Sequence, residues 1–536
     1  MAGRHATRLL ILGLDGLAWP LMEPLLAAGV MPNLARLRHE GAWGPLASVV
    51  PTQSATAWAS FITGQNPARH GVVDFMARQP DGSYRHAKPH PAATLWRHLG
   101  QAGVRVGVLN FPVTYPPDPV HGFLVSGMLA LRGRTFTYPA ALGDELLALF
   151  PEYRIDLEWQ LHAGRERVLL QDLTEMTRQR VKAACYLFDR YQPECMAVAF
   201  VGTDRLQHAL WRHIDPTHPH YNPSQAAALQ DAIHGFYATL DGAIGRLVEA
   251  AGEETVVLAV SDHGFQAAAW QFQVDDWLEQ QGWLVRQAGR SHLERWVRRL
   301  DTPWVRHLRR RLVKDISRHF ATFAPGGTID WSQTAASNPW VAQQAVRLNV
   351  RGREPLGIVS PGADYERLRD EIAQALMAAT EPQTGLRVVD RVWKREALYS
   401  GPFYDEMPDL VFSLQPGFAA SPMQPDLWAP TGWGSGDHSM EGILVARGPG
   451  IVAGRIEGAN LVDVAPTALY LMEQAVAPAM DGKVLLAALD PALVAASPPH
   501  YKKDIAPPSG ELPAGEALTA GEEAEIQARL RGLGYL

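Results

Sequence analysis

Ser54 opens the helical part of PTQSATAWASFITG (51–64), where a turn rich in small hydroxyl residues runs into an apolar helical pattern. A serine in the first turn of a helix is either a cap for a free backbone N–H or a nucleophile whose developing negative charge faces the positive helix end. Elsewhere, Asp15, Asp204 with His208, and Asp262 with His263 stand just after strand-like runs, and His438 lies in the glycine-rich segment GWGSGDHSMEG, expected as a loop. Aspartate oxygen and histidine nitrogen are the donors expected at zinc or similar divalent ions. Asp204 and His208, four residues apart, project from one face if a helix begins there, and such a pair can share an ion. Asp262 and His263 are adjacent, and an extended strand would send them to opposite faces. Past a strand end the chain can bend both toward one site, with Gly264 supplying the freedom. Any one of these pieces arises by chance in a long chain, so their meaning depends on a fold that gathers them.

The elements that must do this alternate. Thr7 to Leu14, Val104 to Leu109, Glu194 to Val201 and the run TVVLAV before Ser261 read as buried strands. Between them Trp19 to Ala28, Pro32 to His39, Ser54 to Thr63, Arg165 to Tyr191 and Ala226 to Ala251 have helical spacing, and Gly44 to Val50 reads as an edge-like strand. Strand, helix, strand with long connections predicts an α/β fold: a largely parallel sheet covered on both faces. Ligands of such sheets bind beyond the carboxyl ends of the strands. Asp15, Asn110, Asp204 and Asp262 all fall on that rim. Four strands delivering polar groups to one edge is hard to explain as packing.

Composition sets the outer bounds. The 47% hydrophobic and 20% charged content is that of a globular protein, and the net charge of -7 gives no overall case for nucleic-acid binding. Two cysteines, Cys185 and Cys195, are too few for a disulfide framework and fit a reducing compartment. The N-terminal stretch MAGRHATRLLILGLDG resembles a secretion signal superficially, yet its apolar run ends in Gly-Leu-Asp-Gly without a cleavage-like site and reads as the first buried strand. No run approaches the roughly 18 apolar residues of a membrane span. A cytoplasmic location is the expectation.

The rhythm breaks after Trp270. The expected organisation is a core over 1–269, an inserted, mainly helical basic cap over 270–340, a second core part over 341–497, and a linker with a last helix over 498–536. RLNVRGREPLG and DLVFSL are expected to return to the sheet, Glu441 to Arg447 to be a strand and Val462 to Met472 a helix. Between Arg286 and Arg318 eleven Lys or Arg face three Asp or Glu. That run is either a solvated face of two helices or a basic surface for an anionic partner such as substrate, lipid or nucleic acid.

The motifs LLILGLDG, PTQSATAWASFITGQNPARHGVVDF, TDRLQH, SDHGF and GDHSMEG together resemble the alkaline phosphatase superfamily, in its type I phosphodiesterase and nucleotide pyrophosphatase branch. The resemblance spans residues 9 to 442. It implies an α/β/α sandwich with two divalent metal ions at the strand ends, most simply zinc, with manganese, iron or magnesium as alternatives. It further implies that Asp15, Ser54, Asp262 and His263 hold the ion that activates the nucleophile Ser54, and that Asp204, His208 and His438 hold the second. A small phosphoester, such as a nucleotide, would be the substrate, cleaved at a phosphodiester or pyrophosphate bond through a phosphoserine. One departure stands out. The family's asparagine that grips a phosphoryl oxygen has no clear equivalent, because Ala57 one helical turn beyond Ser54 offers no polar group. Asn110 is the candidate for that contact, or else a turn residue capping its own loop. Phosphomonoesterase or phosphonate hydrolase activity on the same site is the alternative enzyme reading. A non-catalytic, metal-containing protein that binds an anionic partner is the alternative from another class.

Overall fold

The computed structural model describes residues 8–78, 84–131, 133–287, 329–339, 344–420, 427–502 and 518–533. They form two compact units, one of residues 1–267, 399–406 and 433–536, the other of 268–398 and 407–432. The larger unit is built on β1 (Arg8–Leu14), β2 (Ala42–Ala47), α1 (Ser54–Thr63), β3 (Val106–Leu109), β4 (Gly122–Val125), β5 (Thr137–Tyr138), α2 (Glu166–Tyr191), β6 (Cys195–Phe200), α3 (Gly202–Ile214), α4 (Pro223–Ala251), β7 (Thr255–Val260) and the first four residues of β8 (Gly264–Phe272), whose remainder belongs to the smaller unit. It is completed by β9 (Gly436–Ser439), β10 (Glu441–Arg447), β11 (Gly454–Arg455), β12 (Ala459–Asn460) and α5 (Ala520–Leu533).

The main sheet has the order β11, β2, β10, β7, β1, β6, β3, β4, β5, with β12 also on β2. Its centre, from β7 through β4, is parallel, and β10 and β5 run against it. The uninterrupted apolar run of β1 has a simple cause: alternate side chains enter different cores. Leu9 and Ile11 pack into one core with Ala197, Val256 and Trp58 of α1. Leu10, Leu12 and Leu14 pack into the other with Val198, Val257 and residues of α2 to α4. Both faces are therefore covered, as a parallel sheet requires. This is the expected three-layer α/β architecture. The segment expected as an edge strand, β2, instead has partners on both sides, because β11 and β12 add to its outer side.

In the smaller unit, Ala336–Ser337, Ala345–Leu348, Leu410–Leu414 and Val389–Lys394 form a separate four-stranded sheet. Ala345–Leu348 and Leu410–Leu414 were expected to rejoin the main sheet; they pair with each other instead. Their buried pattern says that they are covered, not by which sheet. Phe272, Trp277, Leu348, Ile372, Phe412 and Phe418 share this unit's core, to which the helix Ala363–Ala378 contributes Ile372. Most of the basic stretch, residues 288–328, lies outside the described residues, as does 503–517 of the expected linker. Arg286 is described, and it is paired with Asp276 at 2.6 Å and Glu279 at 3.0 Å. Among the described residues no helix is long and apolar enough to cross a membrane.

Candidate active site

Parallel strands end on the same edge, and the topology delivers the acidic and histidine residues there one after another. Asp15 follows the last residue of β1, Asp204 lies in the first turn of α3 after β6, and Asp262 and His263 are the last two of the three residues between β7 and β8. His438 arrives from the far end of the unit. The segment expected as a loop is strand β9, paired antiparallel to β8 with His438 opposite Phe265. Glycines on both strands serve close approach: a Cβ on Gly436 of β9 would lie 2.5 Å from the Gln207 carbonyl oxygen, and one on Gly264 of β8 would lie 2.1 Å from that of Glu441. Asp15, Ser54, Asp204, Asp262 and His263 have no exposed surface, and His438 has 8%.

The site contains two overlapping groups. Asp15, Asp262 and His263 offer donor atoms within 4.8 Å of one another, and so do Asp204, His263 and His438. His208 joins the second group through Nε2, 3.4 Å from Asp204 Oδ1 and 3.0 Å from His438 Nε2. Ser54 Oγ lies 3.1 Å from His263 Nε2. The His263 and His438 rings stack with centroids 3.7 Å apart. Each of the three imidazoles has Nδ1 against a backbone carbonyl: His208 on Gly436 at 3.0 Å, His263 on Gly264 at 3.1 Å, His438 on Thr52 at 2.7 Å. A carbonyl only accepts, so in the neutral rings the proton sits on Nδ1 and the Nε2 lone pairs face one another and the carboxylates. This is the tautomer a metal ligand needs, fixed by backbone.

The electrostatics agree with a cation site. Burial, reinforced by the charge of Asp204, pushes Asp15 up to about 8. Burial and then the charges of Asp15 and Asp204 raise Asp262 well above the usual carboxylate range. Burial drives His263 well down, with His438 adding to it. Asp204 goes the other way. Burial opposes ionisation there, but His208 and Arg205, with the hydrogen bonds that His208 and His438 donate through Nε2 when their rings are protonated, together hold it well below its ordinary value. Burial also opposes protonation of His438, and the Asp204 contact outweighs it and raises the ring. Among the described residues, Asp15 Oδ1 and Asp262 Oδ2 find no hydrogen-bond partner although both are buried. Three buried carboxylates with three inward-facing nitrogens, two of the oxygens orphaned, is a donor set that fits divalent cations and is costly without positive charge.

Several residues that sequence reasoning missed hold this set in place. Trp58, one turn after Ser54 on α1, donates its indole N–H to Asp15 Oδ2 at 3.1 Å. The Gly16 amide donates to Asp262 Oδ1 at 3.2 Å, and the Thr203 hydroxyl donates to the Asp15 carbonyl. Arg205 is wholly buried, donates to Asp204, and is held by Asp156 at 3.1 and 2.9 Å. The i, i+4 spacing from Ser54 is the signal that would have found Trp58, whereas nothing local points to Asp156. Asn110 stands apart. It has a left-handed backbone, φ 59°, its amide nitrogen donates to the Ser126 carbonyl at 2.9 Å, and its side-chain oxygen accepts from the Tyr153 hydroxyl. The side chain is engaged at both ends, by Ser126 just past the neighbouring strand β4 and by Tyr153, and none of its described hydrogen bonds reaches the Ser54 cluster.

A model of the type I phosphodiesterase/nucleotide pyrophosphatase family matches residues 9–441. The chain belongs to this family. As a member of this family it is a phosphoric ester hydrolase, and divalent metal ions are part of the family's chemistry. Solved structures that align with this family member include the human ectonucleotide pyrophosphatase/phosphodiesterase 5, 12% identical, with 89% of this chain and 97% of that one covered at a TM-score of 0.49. The murine protein of the same name aligns at 12% identity over 90% of this chain and 100% of that one, also at 0.49. No curated protein matches the chain.

Proposed function

We propose that this chain cleaves phosphodiester or pyrophosphate bonds with Ser54 as the nucleophile, at a site for two divalent ions. Asp15, Asp262, His263 and Ser54 would hold one ion and Asp204, His208 and His438 the other. The observation that carries the proposal is the position of Ser54: the hydroxyl at the first residue of α1 lies 3.1 Å from His263 Nε2, beside two buried Asp/His groups. When bound, the ions would neutralise phosphate charge, favour the ionised serine and stabilise the leaving oxygen. Zinc suits this mixed nitrogen and carboxylate set best.

The chain's own residues supply placement. Ser54 stands at the positive end of α1, where negative charge on Oγ is favoured. In the first step the Ser54 Oγ–P bond forms and the bond from phosphorus to the leaving oxygen breaks; in the second, water attacks the phosphoserine and Oγ leaves. Trp58 holds Asp15 from the helix that carries Ser54, and the Gly16 amide holds Asp262. The backbone-anchored imidazoles keep Nε2 inward through both steps, so the shell need not rearrange between them. A substrate phosphoester, for instance a nucleotide, would place its phosphoryl group against Ser54.

Ser54→Ala tests the assignment. Hydrolysis of bis-p-nitrophenyl phosphate should fall by at least about 10³-fold, while the protein retains about two equivalents of metal. Turnover within about twofold of the wild type would remove Ser54 as the nucleophile. Faster hydrolysis of p-nitrophenyl phosphate than of the diester would move the substrate class to phosphomonoesters.

A further inference from the structure

His208 is the site residue with the most exposed side chain, at 14%, and it depends on contacts from outside the metal cluster to hold its ring. Trp159 supplies one of them. It lies in a single helical turn, Trp159–His162, is 3% exposed, and its ring is parallel to the His208 imidazole within 2°, centroids 5.5 Å apart. Phe265 meets the same imidazole edge-on at 4.8 Å. The Gly436 hydrogen bond fixes where His208 Nδ1 points, and the parallel indole fixes the plane of the ring about that bond.

What fixes Trp159 is α5. The indole N–H donates to the carbonyl of Leu533 at 2.7 Å, at the last residue of the helix, where carbonyls lack helical partners. Gly532 presses against the same turn, so closely that a Cβ there would lie 2.9 Å from Glu158 Cβ. Arg529 donates to the Ala130 carbonyl at 2.6 Å. Ile526, Leu530 and Leu533 are buried in the core. The helix is therefore seated on the body of the unit, and its end is joined through one side chain to the imidazole.

We propose that α5, acting through Trp159, is the positioning element for His208. This rests on the reading of His208 as an ion ligand. Trp159 touches no reacting atom; it holds the ring so that Nε2 faces Asp204 and His438, and α5 holds Trp159. Residues one step behind a ligand typically change metal affinity 10- to 100-fold when lost.

The test uses the full-length chain, stripped of metal and titrated with cobalt(II) and with zinc(II) against a chelator, following the visible cobalt spectrum and the urea midpoint of each variant. His208→Ala identifies the binding step that uses this residue. Trp159→Leu, which removes the ring plane, should weaken the same step by about 10-fold or more and alter its cobalt band, leaving the other step within about twofold. Trp159→Phe, which keeps a ring but loses the bond to Leu533, should weaken it by less than Trp159→Leu. Gly532→Ala wedges the helix from Glu158 without touching His208, and should weaken that step by about threefold or more, which keeps the idea testable if Trp159→Leu does not fold. If His208→Ala weakens a step that Trp159→Leu and Gly532→Ala leave within twofold, the positioning role is overturned while the metal site stands. If His208→Ala itself changes no step, the metal reading of His208 fails and the positioning role with it.

Discussion

Asp156→Ala should be among the most destabilising single changes in the larger unit, although Asp156 is outside the catalytic set. Arg205 has no exposed side-chain surface and Asp156 has 2%, and two hydrogen bonds of 3.1 and 2.9 Å join them. Removing one partner of a buried ion pair costs roughly 3–5 kcal/mol, because the desolvated charge left behind is no longer matched. Asp204 still accepts from Arg205, which places Asp156→Ala toward the lower end, about 3 kcal/mol. Asp156→Asn keeps the shape and one acceptor and should cost about 1–2 kcal/mol. At a urea m-value of about 3 kcal/mol per molar, Asp156→Ala lowers the midpoint by about 1 M. The assay is urea unfolding followed by tryptophan emission, read on the transition of the larger unit, since a chain of two units need not unfold in one step. Adding Arg205→Met removes the charge that Asp204 alone must then compensate, so the double variant should be less unstable than the sum of the two single changes. A midpoint shift below about 0.3 M for Asp156→Ala, or strict additivity in the double variant, refutes the argument from an unmatched charge.

Two further outcomes follow from buried polar groups. Burial drives His70 down to about 3; Val72 N–H donates to its Nδ1, so its own proton is on Nε2, toward Ser60 Oγ at 2.8 Å. Its folded value lies below the ordinary 6.5, so its contribution is fully present above pH 6.5 and is lost as pH falls toward 3, up to roughly 4 kcal/mol over that window. His70→Gln should give a flatter urea-midpoint profile between pH 7 and 4 than the wild type, and an equal slope would exclude His70 as the titrating group. Asn110→Ala breaks the contacts to Ser126 and Tyr153 and needs a left-handed backbone at an alanine, so it should lower stability by about 2 kcal/mol while leaving KM for a diester within twofold. A KM raised tenfold at unchanged stability would make Asn110 a substrate contact after all.

Much of the larger unit was legible because its signals are local. The bounds of α1 and β10 agree with the sequence reading, and β1 could be read from RLLILGL because a strand buried on both faces leaves a continuous apolar run. The rim residues followed, since in parallel strands a position just past the apolar run is also a position in space. Pairing was not legible. Nothing local says that Ala345–Leu348 joins Leu410–Leu414 rather than the main sheet, and the glycines around His438 read as a loop although they mark backbone packed against backbone. The supports of the site were least visible. Asp156 meets Arg205 across 49 residues and Trp159 meets Leu533 across 374, separations at which single-sequence spacing carries no information.

The place of β1 has a consequence for biosynthesis. Its two neighbours in the sheet are β6 and β7, whose residues begin at Cys195 and Thr255. During translation this nearly continuous apolar strand leaves the ribosome well before either neighbour exists, with both of its edges open to the wrong partners. The opening segment must wait, shielded by early helices or by chaperones, until the middle of the chain arrives. Productive maturation is then a race between that arrival and aggregation.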